Sequence, residues 1–356
     1  MAQRIRVGLI GSGMIAQVIH LPYLLELSDR FEVVALCDLS LGTARAAALR
    51  FGIPHTTTDY RDLFDKYDTD AVLVLTRDHA RPAIDAARAG KHVFVEKPMC
   101  NNLAEADELV DVVRQQKVVG MVGYHKRYDP GYRLGQDMIK RLDSPHLVRL
   151  HDVIGPNSAF LAHSDFVVVD DLDTALKQSL QAEHVESLRV AIGDQPEAVM
   201  RAYDLMLGLT THDVTILHGA LGLPERVIAT EIWANGLAYA SIFAYPGDLR
   251  CVFDTGLITG LRKFDESLTV YSANKVVSIS FPSPFIKNAP TMVETWETEG
   301  SAYKESQFLA SYQEAFKEEM IHFHNCITNG LQPETPVTEG RDDIALLIDM
   351  VKAYQR

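Results

Sequence analysis

Cysteine is scarce in this 356-residue chain. Its four cysteines, Cys37, Cys100, Cys251 and Cys326, lie far apart with no CxxC spacing. That excludes a disulfide framework and a cysteine zinc site, and it fits free thiols in a reducing compartment. Long apolar runs are also missing, and none approaches the ~18 residues of a membrane span. The start, Met1 to Arg6, lacks the apolar core and small-residue cleavage site of a secretory leader. Both absences lead us to expect a cytoplasmic protein. Basic charge is in deficit: 34 Lys and Arg against 48 Asp and Glu give a formal charge of −14. Such a surface repels phosphate backbones and anionic lipid, so neither nucleic acid nor membrane is an expected partner. Metal-ligand spacings are absent too. There is no HxxxH or HExxH, and His322 and His324 are two apart on a helical pattern, so they point away from each other. No metal is expected, and no GxSxG nucleophile turn occurs.

The first 125 residues instead hold a regular alternation. Apolar runs at Ile5–Gly11, Phe31–Asp38, Ala71–Thr76, His92–Lys97 and Val118–Tyr124 read as strands covered on both faces. Between them, Met14–Glu26, Leu41–Phe51, Tyr60–Lys66, Ala80–Ala89 and Leu103–Gln116 carry apolar residues at helical spacing. Strands alternating with helices predict βαβ units and a doubly wound parallel sheet of the Rossmann kind. After residue 125 the rhythm changes. His146–Ile154 reads as a strand, and Asp171–Ile192, Ala198–Met206 and Thr211–Leu221 as helices. Val227–Ala234, Ala238–Ala244, Leu249–Thr255, Leu268–Ser272 and Lys275–Ser280 then read as strands separated by turns such as Asn235-Gly236. Helices are expected at Ser306–Asn329 and Arg341–Tyr354. The expected organisation is a nucleotide-binding domain, 1–125, and an α+β domain, 126–356, built on a largely antiparallel open sheet. The last helices could pack back on the first domain.

Gly11-Ser12-Gly13-Met14-Ile15-Ala16 follows the first strand and opens the first helix. Gly11 permits a tight turn, Gly13 lets backbone approach a pyrophosphate, and Ala16 lets helix and strand pack closely. The free N–H groups there, those of Met14 and Ile15 included, would hold phosphate. Asp38 ends the second strand, where a carboxylate accepts hydrogen bonds from the adenosine ribose diol and repels a 2′-phosphate. The next residues, Leu39 and Ser40, supply no arginine for that phosphate. NAD is therefore expected over NADP. Glu96-Lys97-Pro98 ends another buried strand, at the edge where open α/β sheets bind ligands. A lysine there is placed to exchange a proton with an alcohol, while the alternative is a surface salt bridge between Lys97 and Glu96.

GSGMIA, Asp38, Thr76 with His79, AGKHVFVEKP, GYHKRYDP and the terminal NGLQPETPVTEGRDD together resemble the Gfo/Idh/MocA family of sugar and cyclitol dehydrogenases. The likeness covers nearly the whole chain, with Gly155–Gln195 matched least. It implies that Lys97 is catalytic, that Glu96 lies by the nicotinamide ribose, and that Thr76 and His79 contact the cofactor. It also implies that Arg127 contacts substrate, often with a cis peptide before the proline at Pro98. Relatives carry Asp-x-x-x-His with a second Asp three residues on. Here His212 keeps the histidine, but Gly208 and Thr215 replace the aspartates, and Asp213 stands about 100° round the helix. His212 is expected to bond the reacting oxygen. The alternative is a helix-start histidine capped by Thr210 or Thr211. His125, His151, Asn157 and Asp213 are further candidates for sugar hydroxyls, and 159–195 for a lid over substrate.

The expected activity is hydride transfer between NAD and a secondary alcohol or ketone of a sugar, glycoside or cyclitol. Two alternatives are NAD-assisted glycoside cleavage with no net redox change, and a non-catalytic nucleotide-binding regulator. The antiparallel sheet's exposed face and the resemblance suggest a homodimer or homotetramer.

Overall fold

The computed structural model describes residues 4–354. Met1–Gln3, on which the expectation of no leader partly rests, lie outside them. The strand-helix alternation builds β1 (Ile5–Ile10), α1 (Leu21–Glu26), β2 (Phe31–Cys37), α2 (Leu41–Phe51), β3 (His55–Thr57), α3 (Asp62–Asp65), β4 (Ala71–Val74), α4 (Ala80–Arg88), β5 (His92–Glu96), α5 (Leu103–Gln116) and β6 (Gly120–Gly123). All six strands are parallel, in the order β3-β2-β1-β4-β5-β6. The order reverses between β1 and β4, so the crevice for a ligand opens outside their carboxyl ends. Ahead of α1, Ala16–His20 winds as a π-helical turn. Pro22 has no N–H to give the preceding turn, and a one-residue slip of register accommodates it.

The rest of the chain comprises α6 (Pro130–Ile139), β7 (Leu147–Ile154), α7 (Ser158–Leu161), α8 (Thr174–Ile192), α9 (Glu197–Leu205), α10 (Thr211–Leu221), seven strands, α11 (Ala315–Asn329) and α12 (Val337–Lys352). The strands are β8 (Arg226–Trp233), β9 (Ala238–Ala244), β10 (Arg250–Leu257), β11 (Phe264–Tyr271), β12 (Lys275–Phe281), β13 (Met292–Glu299) and β14 (Ala302–Leu309). With β7 they form one sheet, β14-β13-β12-β11-β7-β10-β9-β8, antiparallel except for the β7–β10 pair.

The chain divides into two compact units. The first takes residues up to Tyr124 together with Ser164–Ala191 and Phe316–Ile344, and the second takes His125–His163, Ile192–Ala315 and the end from Ala345. The expected helix from Ser306 is corrected: Ser306–Leu309 end β14, which pairs along its length with β13, and α11 starts only at Ala315. The polar run before it makes an exposed edge strand whose alternation buries little, so periodicity does not reveal it. α8 likewise begins at Thr174, later than the expected Asp171. Asp173 Oδ1 accepts from the N–H groups of Ala175 (2.6 Å) and Leu176 (3.3 Å), an N-cap that leaves 164–173 outside the helix. The expected substrate lid is accordingly, from Ser164 on, part of the first unit.

Candidate active site

In the first unit, the carboxyl edge of the parallel sheet gathers the glycine loop, Asp38, Thr76, His79, Glu96 and Lys97. Gly11 has φ +99°, and a Cβ there would meet the Leu75 carbonyl at 2.8 Å. Only glycine lets the loop after β1 press against the end of β4. A Cβ on Gly13 would meet nothing within 4 Å, so the loop's outer side is open. Gly13, Met14 and Ile15 are half-exposed between buried neighbours. Asp38 Oδ2 accepts from Ser12 N (2.8 Å) and Ser12 Oγ (3.0 Å), and Oδ1 from Ser40 N (2.9 Å). The carboxylate is thereby aimed, and Oδ1 keeps a second lone pair for a hydroxyl. Thr76 Oγ1 donates to the Asp78 carbonyl at 3.0 Å and shapes the turn after β4. Open loop, fixed carboxylate and helix start together fit a nicotinamide dinucleotide.

Glu96 is buried at the end of β5. Its Oε1 is bonded by His20 Nε2 at 2.7 Å and its Oε2 accepts from the Lys97 backbone N–H at 3.0 Å. Burial opposes the charge on Glu96, but the His20 bond, with help from Lys97 and His79, prevails and holds the carboxyl below its usual range. His79 Nδ1 stands 2.7 Å from the Pro98 carbonyl, which can only accept, so Nδ1 carries the hydrogen. Burial drives His79 down to about 4, so near neutral pH its Nε2 is a bare acceptor. Glu319 of α11 is buried with neither oxygen hydrogen-bonded, and burial together with the charge of Glu96 pushes it well above the carboxylate range. Glu96 is thus ionised and Glu319 a neutral acid. The Lys97–Pro98 peptide is cis.

In the second unit, the His125 ring lies edge-on to His212, with centroids 5.0 Å apart. Neither threonine caps α10 as the alternative reading of His212 requires: Thr210 bonds Tyr239 and Thr211 donates to the Leu207 carbonyl. Arg127 is buried and donates to the Thr215 carbonyl at 3.1 Å. His151 Nδ1 bonds Asp254 at 2.7 Å, and Asn157 is exposed. Asp213 is fully buried in a group sequence reasoning missed: Lys126 bonds both oxygens of Glu266, and Asp152 and Asp213 lie in reach of each other. No other group donates to Asp152 or Asp213, so a bond between them requires a shared proton. Burial first, and then the neighbouring carboxylates, raise Asp152 to about 7 and Asp213 well above its ordinary value.

A family model described as an oxidoreductase family with an NAD-binding Rossmann fold matches residues 5–124. An uncharacterised oxidoreductase of Bacillus subtilis, YrbE, is 25% identical over 358 residues, spanning 97% of this chain and 92% of its own. Over residues 5–124 the chain is thus similar to the Gfo/Idh/MocA oxidoreductase family. The myo-inositol 2-dehydrogenase of Thermotoga maritima is 28% identical over 193 residues, 51% of this chain and 57% of its own. Among solved structures, a levoglucosan dehydrogenase with NADH and levoglucosan shares the fold at TM-score 0.77 and 17% identity, covering 99% of this chain and 97% of the other. Solved neighbours hold NADP as well as NADH. Residues 5–124 carry the NAD(P)-binding Rossmann domain of an oxidoreductase. His20 was not singled out from the sequence, and Glu319 stood out only within the family-like pattern Phe316…Glu319…Phe323, with no role given to it. A histidine and a glutamate set in apolar helix faces were the available signal, and only the fold shows that both lie by Glu96.

Proposed function

We propose that this protein transfers a hydride between NAD and a secondary alcohol or ketone of a sugar, glycoside or cyclitol, with Lys97 exchanging the proton. The observation that carries the reading is Lys97 at the carboxyl end of β5, beside a buried Glu96 whose charge is fixed by His20. Gly11, Gly13, Met14 and Ile15 would hold the pyrophosphate, Asp38 the ribose diol, and Thr76, His79 and Glu96 the nicotinamide half. Bound NAD would supply hydride acceptance and donation. The chain's part is the proton: neutral Lys97 Nζ takes it from the alcohol, and the ammonium returns it to a ketone. Asp38 favours NAD, since its fixed charge opposes a 2′-phosphate. His212 is the proposed partner of the reacting oxygen, and His125, Arg127, His151, Asn157 and Asp213 are proposed, more weakly, for substrate recognition. Arg127, His151 and Asp213 already have structural duties.

We also propose that the protein acts in the cytoplasm as a homodimer or homotetramer. No helix among the described residues is long and apolar enough to cross a membrane. The test of the activity is a panel of sugars, glycosides and inositols with NAD and NADP, followed by absorbance of the reduced cofactor. Lys97→Ala should lower kcat/KM by about 10²–10⁴ while NAD still binds. A loss under tenfold overturns the role of Lys97. Glycoside hydrolysis with no change in free NADH would favour the redox-neutral reaction.

A further inference from the structure

Ser164–Ala191 lies within Gly155–Gln195, the stretch that resembles the family least, and the fold makes it part of the first unit. From 164 to 173 it is an extended strap held by side chains of that unit. Gln17 grips Val167 twice: its Nε2 donates to the carbonyl at 2.7 Å, and its Oε1 accepts from the N–H at 3.0 Å. The same Nε2 donates to Ser12 O of the glycine loop. Two residues on, Val169 N donates to Thr43 Oγ1 at 2.8 Å and its carbonyl accepts from Ser40 Oγ at 3.2 Å. Two further on, Asp171 Oδ2 accepts from Gly42 N at 2.8 Å. The period of two is that of an extended chain docked along one edge. Gly42 is what allows the approach, because a Cβ there would lie 2.7 Å from Asp171 Oδ2 and 2.8 Å from Val169 Cγ1.

α8 then carries the chain across the sheet's carboxyl edge. Its Gln181 accepts from Arg77 (2.7 Å), His184 Nδ1 bonds Asp78 (2.7 Å), and Ser187 accepts from Asn102 (3.0 Å). Anchors thus fall after β2, after β4 and after β5, on both sides of the crevice where the dinucleotide is placed. The strap also sets an acid near the end of β2: Asp171 is held by Gly42 N, two residues beyond the Ser40 N–H from which Asp38 accepts, while Asp170 pairs with Lys177. Meanwhile Phe166 to Val169 leave their apolar side chains exposed.

We propose that Ser164–Ala191 is a resident cover over the adenosine half of the cofactor slot, and that Asp171, beside Asp38, is a specificity-determining residue against a 2′-phosphate. The cover must lift off α2 for a dinucleotide to enter or leave. The inference rests on the reading of this sheet edge as a nicotinamide-dinucleotide site.

Three measurements on the full chain test it. Hydrogen exchange of 164–191 should slow when NAD binds. Gly42→Val, which pushes the strap away, should speed displacement of bound NADH at least tenfold in stopped flow. Asp171→Asn should narrow the ratio of NADP to NAD dissociation constants at least fivefold, with NAD itself changing less than twofold. If Gly42→Val fails to fold, Thr43→Val removes the acceptor of Val169 N and serves the same test. Unchanged exchange, or NADH release within twofold of the unaltered protein, overturns the cover. An unchanged NADP to NAD ratio overturns the role of Asp171. If calorimetry detects no NAD binding at all, the cover and the oxidoreductase reading fall together. If NAD binds but the strap does not respond, the cover alone falls.

Discussion

Around Lys97 the neighbouring groups are held in fixed charge states. Glu96 is kept ionised by His20, while His79 is kept neutral and Glu319 protonated, in both cases by burial. One negative charge therefore stands beside the lysine, and it favours the ammonium. Glu96→Gln removes that charge and lowers the lysine's pKa. Because oxidation of an alcohol needs the neutral amine, the acidic limb of the kcat/KM profile should move about one pH unit lower. A limb that stays in place, with activity intact, would show that Lys97 is not the titrating base. The acid pair of the second unit has the opposite consequence for stability. Asp152 titrates at about 7 in the folded state, against roughly 3.9 for an unfolded aspartate. Between those values the folded protein holds a proton that the unfolded chain has released, so stability falls as pH rises from about 4 to about 7. Asp152→Asn keeps the shape and removes the proton. Its stability relative to the unaltered protein should grow between pH 5 and 8, as read by urea unfolding, by roughly 2–3 kcal/mol. Parallel curves across that range would mean that Asp152 is ionised throughout.

At the scale of elements, the loop after β1 depends on a backbone conformation that a side chain resists. Gly11→Ala places a methyl 2.8 Å from the Leu75 carbonyl at φ +99°. The expected cost is about 1–3 kcal/mol of stability, with NAD affinity weakened because the loop no longer seats on β4. A melting temperature and NAD dissociation constant both matching the unaltered protein would falsify that account. Sequence reasoning located some elements sharply in both units. α2, α5 and α10 match their expected limits residue for residue, since capping side chains such as Ser40 and Asn102 punctuate apolar helices. β3, α6, β13 and β14 were not expected. β3 has three residues, α6 follows GYHKRYDP where no helical period was read, and β14 is an exposed edge whose hydrogen bonds to β13 define it. The strap is the instructive case. Phe166–Val169 fall inside the expected lid over 159–195 with no extended strap foreseen, because what fixes them is a set of polar side chains some 120 to 150 residues away in sequence. Long-range hydrogen bonding leaves no local period, so the carboxylates and lysine of the cofactor edge were legible while their cover was not.

On the scale of the molecule, the second unit's sheet has one face packed by helices, with α6 against β12 and β13 and α9 against β8. The other face carries Ile242 and Val252 directly across from each other on β9 and β10, with Ile228 and Trp233 on the neighbouring β8, each more than a third exposed. Exposed apolar side chains grouped on one sheet face make a candidate contact surface. A second copy is the occupant that fits the proposed homo-oligomer, because two such faces can stack about 10 Å apart with their side chains interleaved. In a twofold arrangement one substitution acts twice, so Val252→Glu would set two carboxylates into the same apolar contact. The variant should run as a monomer in light scattering at concentrations where the unaltered protein is a dimer or tetramer. Its thermal unfolding should become independent of protein concentration, as mass action no longer links folding to assembly. An unaltered protein that is itself monomeric at tens of micromolar would leave this face exposed by design and end the oligomer proposal, without touching the cofactor edge of the first unit.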